Sequence, residues 1–386
     1  MMVGRTERLL RSQARAASAR ERLNQWFSLG SYPQGLVLTG IAAVAWITGG
    51  TGQPVDRGAV TDPVWVAVNG KCAALITSQV EVDRIRDEYQ PNLHGMDELI
   101  SVSWFDSSEW VRAAEEFLGC EAALLASDGM DFFGFDVSDD LISMRLALSD
   151  PEEMEIRELA LDATFALEEG IKSWRPGERD LEIQARVEAI LEERGAYAPV
   201  LIVGGDERLK SYRHPLAIGS PVLNLLMGVV VARREGLHVA ATRFVSAGSP
   251  DEDYVRLRRK VLRMDSEVLS ASLPGSSYGS VLERLDRAYR AEGFPEGWRG
   301  HYQGGPIGFM QREFEIAPCQ TESRWYRERI DLSHAVAWNP SLPGGAKAED
   351  TYLIKEAGAE AITRSSVWPV ESGEYSRLGH PAVLEI

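Results

Sequence analysis

The first part of the chain alternates between short apolar runs and amphipathic stretches. Apolar and β-branched residues fill 35–39, 45–48 and 64–68. Short runs of this kind, bounded by glycine, proline and asparagine, are typical of buried strands. A further run at 122–126 ends in a Ser-Asp-Gly turn signal. We therefore predict a small α/β domain over residues 1–150.

A hairpin is predicted inside this domain. Asn69 and Gly70 end the apolar run 64–68, and a second apolar run follows at 72–76. An Asn-Gly pair between two such runs is typical of a tight turn whose residues have positive φ. The pattern therefore predicts two paired strands joined at Asn69 and Gly70.

A strong helix start marks the boundary between two domains. Asp150 can cap the free N–H groups of a helix, and Pro151 suits the first helical position. Glu152 and Glu153 complement the helix dipole. A second domain is therefore predicted over residues 151–386.

The second domain contains a repeated pattern, which we call the internal echo. A Pro-Gly pair at 176–177 precedes a helical pattern that closes at Gly195. A Pro-Gly pair at 274–275 precedes one that closes at Gly293 with the same spacing. Two long apolar runs within 226–245, joined by Arg-Arg-Glu-Gly, predict a hairpin. Together these features predict an α+β domain, with a curved antiparallel sheet covered by helices and two related halves around one cleft.

Composition and charge exclude several functional classes. The 386 residues are 44% hydrophobic and 26% charged, which is ordinary for a globular chain of two domains. The formal net charge of -17 argues against nucleic acid as the main partner, because phosphate binding needs a basic surface. The three cysteines, Cys72, Cys120 and Cys319, lie far apart and form no CxxC pair. This usage predicts a cytoplasmic protein without a disulfide framework or a zinc knuckle.

The N-terminal segment carries no membrane or export signal by its pattern. Residues 1–27 are basic, but no apolar core follows them directly, so they do not form a secretory signal. The apolar run 35–46 is shorter than the roughly 20 residues that span a bilayer. We therefore expect no membrane partner.

The order of motifs along the chain resembles the prolidase, Xaa-Pro aminopeptidase and creatinase family. The catalytic domain of that family has the pita-bread fold, and the resemblance implies this fold for residues 151–386 and a creatinase-type α/β domain before it. The resemblance covers essentially the whole chain, and the order and spacing of the pieces carry it. The matching pieces are Trp46-Ile47-Thr48-Gly49-Gly50, Pro176-Gly177, Tyr212-Arg213-His214-Pro215, Thr242-Arg243-Phe244, His301-Tyr302-Gln303-Gly304-Gly305-Pro306-Ile307-Gly308, Trp338-Asn339-Pro340 and Glu349-Asp350-Thr351.

The metal ligands that the resemblance implies are mostly missing. Metallopeptidases of this family hold two divalent ions with two aspartates, one histidine and two glutamates. The aspartate positions match Val229 and Ala240, the histidine position matches Gly305, and the first glutamate position matches Asn339. Only the second glutamate remains, as Glu349. Because divalent ions need several oxygen or nitrogen ligands, we expect no metal and no other cofactor.

Two histidines stand where the family has functional ones. The resemblance implies that His214 handles protons and that His301 lines the substrate cleft. Lys347 stands where an arginine is usual, and Arg312 where a histidine is frequent. A neutral imidazole near pH 7 is suited to taking a proton from water and passing it to a leaving nitrogen.

These positions predict one site in the second domain. We expect His214, His301 and Glu349 to be the catalytic groups, with Glu349 anchoring a cationic group of the substrate or orienting a water molecule. Asn339 could donate a hydrogen bond to a developing oxyanion. The residues expected to bind substrate around the catalytic groups are Asn339, Arg243 and Gln303.

Three functions remain open at this point. The first is a metal-independent enzyme that acts on the C–N bond of a small amide-like or amidine-like substrate by hydrolysis, cyclisation or elimination. The second is a non-catalytic binding or scaffold protein that keeps the fold. The third is an Xaa-Pro metallopeptidase with unusual ligands. Family members commonly pair, so the resemblance also implies a homodimer.

Overall fold

The computed structural model of the chain describes residues 5–30, 33–50, 55–59, 61–371 and 378–386. The chain divides into two compact units. The first is Met1–Glu155 with the short segment Glu235–Leu237, and the second is Ile156–Arg234 with His238–Ile386. The division falls inside the helix that begins at Asp150.

The first unit is a mixed sheet with helices. Its sheet has the strand order β4-β3-β2-β1-β5-β6, and most described residues of β1, β2 and β3 are buried. Trp65, Ile76, Trp110 and Phe133 share one apolar cluster on this sheet. The elements are α1 Arg5–Ser28, β1 Leu36–Gly40, α2 Ile41–Ile47, β2 Thr61–Val68, β3 Ala73–Ser78, α3 Val82–Arg84, β4 Glu98–Val102, α4 Ser107–Leu118, β5 Ala126–Ser127, β6 Phe135–Asp136 and α5 Ser138–Leu146, and α6 Asp150–Lys172 begins here.

Two strand predictions in this unit are wrong in part. Residues 45–48 were expected as a strand, but 45–47 belong to α2 and Thr48 follows it. Residues 42–47 of this helix are all buried. A continuous apolar run does not distinguish a buried strand from a buried helix, and alanine favours the helix. Residues 122–124 form a 3₁₀ turn, and the strand begins only at Ala126.

The predicted hairpin is present, but its turn differs from the prediction. β2 and β3 pair antiparallel, with Val68 opposite Ala73. Neither Asn69 nor Gly70 has positive φ. The carboxamide oxygen of Asn69 instead accepts from the amides of Lys71 and Cys72 (2.8 and 2.9 Å). Asparagine side chains stabilise such turns without a left-handed residue.

The second unit contains two four-stranded sheets, with orders β16-β9-β8-β7 and β10-β11-β12-β13. The predicted hairpin is confirmed as β8 and β9, and its turn at Glu235 and Gly236 has φ values of 47° and 86°. Such values match the right-handed twist of the flanking strands. The remaining elements are α7 Asp180–Glu193, β7 Tyr197–Gly205, α8 Asp206–Ser211, β8 Leu225–Arg234, β9 Leu237–Ser246, α9 Glu252–Ala271, α10 Tyr278–Ala291, β10 Gly304–Pro306, α11 Arg324–Arg327, β11 Ala335–Trp338, β12 Tyr352–Lys355, β13 Gly358–Ala361, β14 Val370–Glu371, β15 His380–Pro381 and β16 Val383–Glu385.

The internal echo is visible in the hydrogen bonds that precede α7 and α10. Both helices have 14 residues. The amide of Gly177 donates to the carbonyl of Val222 (2.7 Å), and that of Gly275 donates to the carbonyl of Ile330 (2.8 Å). The amides of Val222 and Ile330 donate back to the residue after each glycine (3.0 and 2.8 Å). The two halves therefore share a local backbone arrangement as well as a helix length.

A second set of hydrogen bonds joins β9 to the segment just before β12. The hydroxyl of Thr351 accepts from the amide of Ala240 (2.8 Å) and donates to the carbonyl of Ala240 (2.9 Å). The amide of Thr242 donates to the carbonyl of Glu349 (2.9 Å). These bonds, which we call the joint between β9 and the segment 349–351, place Glu349 beside β9.

Within the described residues, no helix is both long and apolar enough to cross a bilayer.

Replacing Gly177 or Gly275 with alanine should destabilise the protein equally. Both glycines have left-handed φ (96° and 86°), and an added Cβ would meet no atom within 4 Å. The strain alone should lower the free energy of unfolding by about 1–2 kcal/mol in each variant. Urea unfolding would measure it, with Gly70→Ala as the control because Gly70 lacks positive φ. A loss in only one of the two variants would contradict the equivalence of the two halves.

Candidate active site

The second unit contains a cavity of about 830 Å³. Its lining residues from β7 and β8 are apolar. Most of its polar lining residues lie in loops next to β10, β11 and β12. The lining residues are Pro199, Val200, Leu201, Ile202, His214, Leu216, Val229, Val231, His301, Tyr302, Met310, Gln311, Arg312, Glu315, Asn339, Lys347 and Glu349.

Two histidines from different halves meet at this cavity. His214 lies in the loop between α8 and β8, and His301 follows a 3₁₀ turn before β10. Their Nε2 atoms are 3.1 Å apart, which is a hydrogen-bond distance. His214 is exposed and His301 is half-buried.

The hydrogen bonds define the proton positions of this pair. Nδ1 of His301 lies 2.5 Å from the carbonyl of Tyr302. A carbonyl only accepts, so this nitrogen carries the proton and donates it. In the neutral ring Nε2 of His301 is then an acceptor, and Nε2 of His214 must be the donor. Nδ1 of His214 is left as an acceptor without a partner in the described part of the chain.

Both imidazoles are neutral near pH 7. Desolvation and the charge of Lys347 lower the pKa of His301 to about 3. The same two causes, in the same order, lower the pKa of His214. With their Nε2 atoms in contact, the two rings cannot both be protonated at low energetic cost, so the pair takes up its first proton as a unit.

Glu349 is surrounded by two cations. Its Oε1 accepts from Arg312 (2.8 Å), and its Oε2 lies 3.1 Å from Nζ of Lys347 and 3.4 Å from the hydroxyl of Thr242. Burial opposes ionisation of Glu349, but Lys347 and Arg312 outweigh it, and the pKa of the carboxyl is lowered. Glu349 is therefore already ion-paired and is not free to anchor a cationic substrate group. That was one of the two roles expected from the sequence.

Asn339 is a buried amide that makes no side-chain hydrogen bond to the described residues. Its backbone amide donates to Gln303, but Oδ1 is buried and has no partner. An unsatisfied buried acceptor is unfavourable unless a ligand or water supplies a donor. Because it lines the cavity, Asn339 is placed to contact a ligand.

The structure places Arg243 away from the cavity, in a buried ion network. Its guanidinium donates to Glu168 (2.8 Å), Asp350 (2.9 Å) and the carbonyl of Thr363 (2.5 Å). Arg243 is 1% exposed. The structure therefore places Arg243 outside the cavity lining, with its guanidinium nitrogens bonded to protein, and a role in binding substrate stays a prediction.

Gln303 is also a supporting residue rather than part of the cavity wall. Its Nε2 donates to the carbonyls of Trp298 (2.9 Å) and His301 (2.7 Å), and its Oε1 accepts from Tyr289 (3.0 Å). It reaches only a neighbouring cavity of about 590 Å³. Its contact with the backbone of His301 helps to position that residue, and the expected role in binding substrate stays a prediction.

The residues present do not fit the dinuclear metal centre of the family. Val229 and Ala240 are apolar and at most 2% exposed, and Gly305 has no side chain. The one matching carboxylate, Glu349, is already paired with Lys347 and Arg312. Among the described residues no group of three or more potential ligands could hold an ion.

The sequence did not assign roles to Arg312 and Lys347. Both were visible as departures from the family pattern. Lys347 is only two residues from Glu349 in the chain, but Arg312 is 37 residues away, so residue types alone did not reveal its contact with Glu349.

Comparisons with known proteins agree with this architecture. No family model matches the chain. A Xaa-Pro dipeptidase of Pyrococcus furiosus is 24% identical over 312 residues, which are 78% of this chain and 87% of that protein. The X-Pro aminopeptidase of Thermotoga maritima superposes with a TM-score of 0.72 at 18% identity, covering 95% of this chain and 99% of its own. The prolidase of Pyrococcus horikoshii gives 0.71 at 17% identity, covering 90% and 98%. The predicted α+β pita-bread fold is confirmed.

Replacing Arg243 with glutamine should destabilise the protein and should affect any activity only through folding. The change leaves Glu168 and Asp350 buried without their main cation, which typically costs about 3 kcal/mol or more. Urea unfolding should detect this loss. Arg284→Gln is the control, because Arg284 pairs with Glu267 at the surface and should cost less than about 1 kcal/mol. A fully stable Arg243→Gln protein with impaired ligand binding would instead restore the role inferred from sequence.

Proposed function

We propose that this chain, a divergent relative of the prolidase and creatinase family, is a metal-independent enzyme that cleaves the C–N bond of a small amide-like substrate. The observation that carries the proposal is the contact between two neutral imidazoles, His214 and His301, at the edge of a cavity. The peptidase names of the relatives favour a peptide or amide bond as the target.

His214 is the general base in this proposal. Its Nδ1 takes a proton from a water molecule, and the hydroxide attacks the amide carbon. As His214 becomes positive, its Nε2–H continues to donate to Nε2 of His301. His301 is held in the accepting form because its Nδ1–H donates to Tyr302. The proton then passes from His214 to the leaving nitrogen as the C–N bond breaks, so the reaction consumes one water and leaves the imidazole neutral.

The polar wall supplies the charge that the transition state needs. The tetrahedral intermediate carries a negative oxygen, which preorganised donors stabilise. Asn339 carries an amide N–H₂ that could donate to this oxygen, and Lys347 is a buried cation that also lines the cavity. These groups take the role of an oxyanion hole without a Lewis acid.

The alternative functions predict different measurements. A binding or scaffold protein would bind ligands in the cavity but release no amine from any amide. A metallopeptidase with unusual ligands would need an ion for turnover. A homodimer and a cytoplasmic location stay predictions, and light scattering would test the first against the 42.7 kDa mass of one chain.

Purified protein should contain no stoichiometric manganese, zinc or cobalt. Apolar Val229 and Ala240 and the ion-paired Glu349 leave too few ligands for these ions. Elemental analysis would test this, and a chelator should change neither the Tm nor the rate of amine release. One or more bound ions per chain, together with loss of turnover on chelation, would support the metallopeptidase alternative.

Replacing His214 with alanine should lower kcat by a factor of about 100 or more, the usual scale for a positioned acid–base group. Exposure of His214 implies that folding is largely preserved. His214→Gln should lose as much, because an amide can replace the Nε2–H donor but cannot take up a proton. Amine release from a panel of dipeptides and N-acyl amino acids would find the substrate and measure the loss.

The pH profile separates proton transfer from a merely structural role of His214. Only the neutral ring is a base, so kcat/KM should fall as the pH drops through the pKa of the pair. Since the pKa of His214 is lowered from the ordinary 6.5, the fall should occur below that value. The acid limb should disappear from the residual activity of His214→Gln. Unchanged rates in both variants would favour the scaffold alternative.

A further inference from the structure

We infer that the hydroxyl of Tyr289 positions two groups that line the cavity, the ring of His301 and the side chain of Asn339. Tyr289 lies on α10 and is completely buried. It reaches the first group through the side chain of Gln303 and the second through the backbone of Ser341. The positioning rests on geometry alone, and its effect on a reaction rests on the proposed function.

The side-chain amide of Gln303 has one favourable orientation. Two backbone carbonyls, those of Trp298 and His301, lie 2.9 and 2.7 Å from its Nε2. Because carbonyl oxygens only accept, the NH₂ group must face them, and it uses both of its protons there. Turning the amide over would bring Oε1 against two acceptors. Oε1 therefore points to Tyr289, whose hydroxyl oxygen is 3.0 Å away.

The hydroxyl of Tyr289 is the donor that this orientation needs. Its proton has two acceptors, Oε1 of Gln303 (3.0 Å) and the carbonyl of Ser341 (3.1 Å). The hydroxyl oxygen also accepts from the amide of Ser341 (3.0 Å). Burial raises the pKa of Tyr289, so the proton stays on this oxygen over the range in which imidazoles titrate. One atom therefore joins Gln303 to Ser341 throughout that range.

The constraint continues to the imidazole of His301. Gln303 holds the carbonyl of His301, which belongs to the peptide that leads to Tyr302. The carbonyl of Tyr302 in turn accepts from Nδ1 of the ring. A shift of this peptide would lengthen that bond and weaken the preference for the Nδ1–H form. The ability of Nε2 to accept from His214 would then be reduced, because that ability belongs to the Nδ1–H form.

The same hydroxyl restrains the segment that carries Asn339. Both backbone groups of Ser341 bond to it. The backbone amide of Asn339 donates to the carbonyl of Gln303 (2.9 Å). These bonds close a ring of hydrogen bonds to which α10 contributes Tyr289. His301 and Asn339, which both line the cavity, are therefore restrained relative to each other.

Nitrogen NMR of histidine-labelled protein at pH 7 tests the positioning without any substrate. The ring nitrogens of His301, identified with a His301→Gln protein, should show the Nδ1–H form in the wild type. Tyr289→Phe removes the hydroxyl alone and should move the two shifts toward each other, because both tautomers become populated. A wild-type pattern in a folded Tyr289→Phe protein would overturn the inference.

Tyr278→Phe is the matched control for this measurement. Tyr278 is a buried tyrosine on the same helix, and its hydroxyl lies 3.1 Å from Nδ1 of His334. The variant therefore also loses a buried hydroxyl, and the signals of His301 should stay as in the wild type. An equal shift of the His301 signals in both variants would show a general loosening of the fold and would contradict a specific role of Tyr289.

Gln303→Met distinguishes positioning from a merely structural role of the hydroxyl. Methionine has a similar length but no amide, so the connection from Tyr289 to His301 is broken while Ser341 keeps its partner. The same shift is expected, and adding Tyr289→Phe should change the His301 signals no further, because both changes break one connection. Fully additive shifts would sink the inference. If Tyr289→Phe fails to fold, Gln303→Met decides, and unchanged His301 signals there count against the inference.

Turnover measurements separate this inference from the proposed reaction. For a substrate that the wild type cleaves, Tyr289→Phe should lower kcat on the order of tenfold with a smaller change in KM, because misplaced groups slow the chemical step. If the tautomer shift is seen but the wild type releases no amine from any amide, the positioning stands and the proposed catalysis fails. If amides are cleaved and the tautomer does not respond to Tyr289→Phe, the catalysis stands and the positioning fails.

Discussion

The joint between β9 and the segment 349–351 is the constraint on which the rest of the second unit depends. Thr351 satisfies both backbone groups of Ala240, and the amide of Thr242 bonds the carbonyl of Glu349. These groups are buried, and a buried backbone group without a partner is expensive, so the joint has little freedom to slip. Arg243 strengthens it by pairing with Asp350 from the β9 side. The position of Glu349 in the cavity wall follows from this backbone arrangement and not from any ligand.

A fixed Glu349 without a bound metal ion needs cationic side chains as partners. A buried carboxylate without a counter-charge would take up a proton or destabilise the fold. Lys347 and Arg312 supply that counter-charge and hold the carboxyl ionised. At the positions matched to the family's aspartates stand Val229 and Ala240, which are apolar and buried and need no partner. The cavity is therefore lined by both charged and apolar side chains.

The sequence revealed the parts of this structure that depend on local pattern. The Pro-Gly starts of α7 and α10, the hairpin at 226–245 and the helix start at Asp150 all follow from backbone requirements of single segments. The strand prediction for residues 45–48 is wrong because a continuous apolar run has no periodicity that distinguishes a strand from a helix. The location of Arg243 outside the cavity could not be predicted for a different reason. An arginine beside family motifs reads as a binding residue, and only the fold brings Glu168 and Asp350 around it. The contact of Arg312 with Glu349 likewise depends on tertiary structure.

The two imidazoles are not interchangeable, and in the proposed reaction their surroundings decide the direction of proton transfer. His301 commits both ring nitrogens, one to the carbonyl of Tyr302 and one to His214. The side chain of Gln303 also donates a hydrogen bond to the backbone carbonyl of His301, which restricts that residue further. His214 commits only Nε2 and is exposed, so its Nδ1 alone can meet a water molecule. A proton gained there strengthens the bond to His301, because a charged donor binds a neutral acceptor more tightly. The positive field of Lys347 then makes the imidazolium a better acid toward a leaving nitrogen, which suits a base that must release its proton within the same turnover.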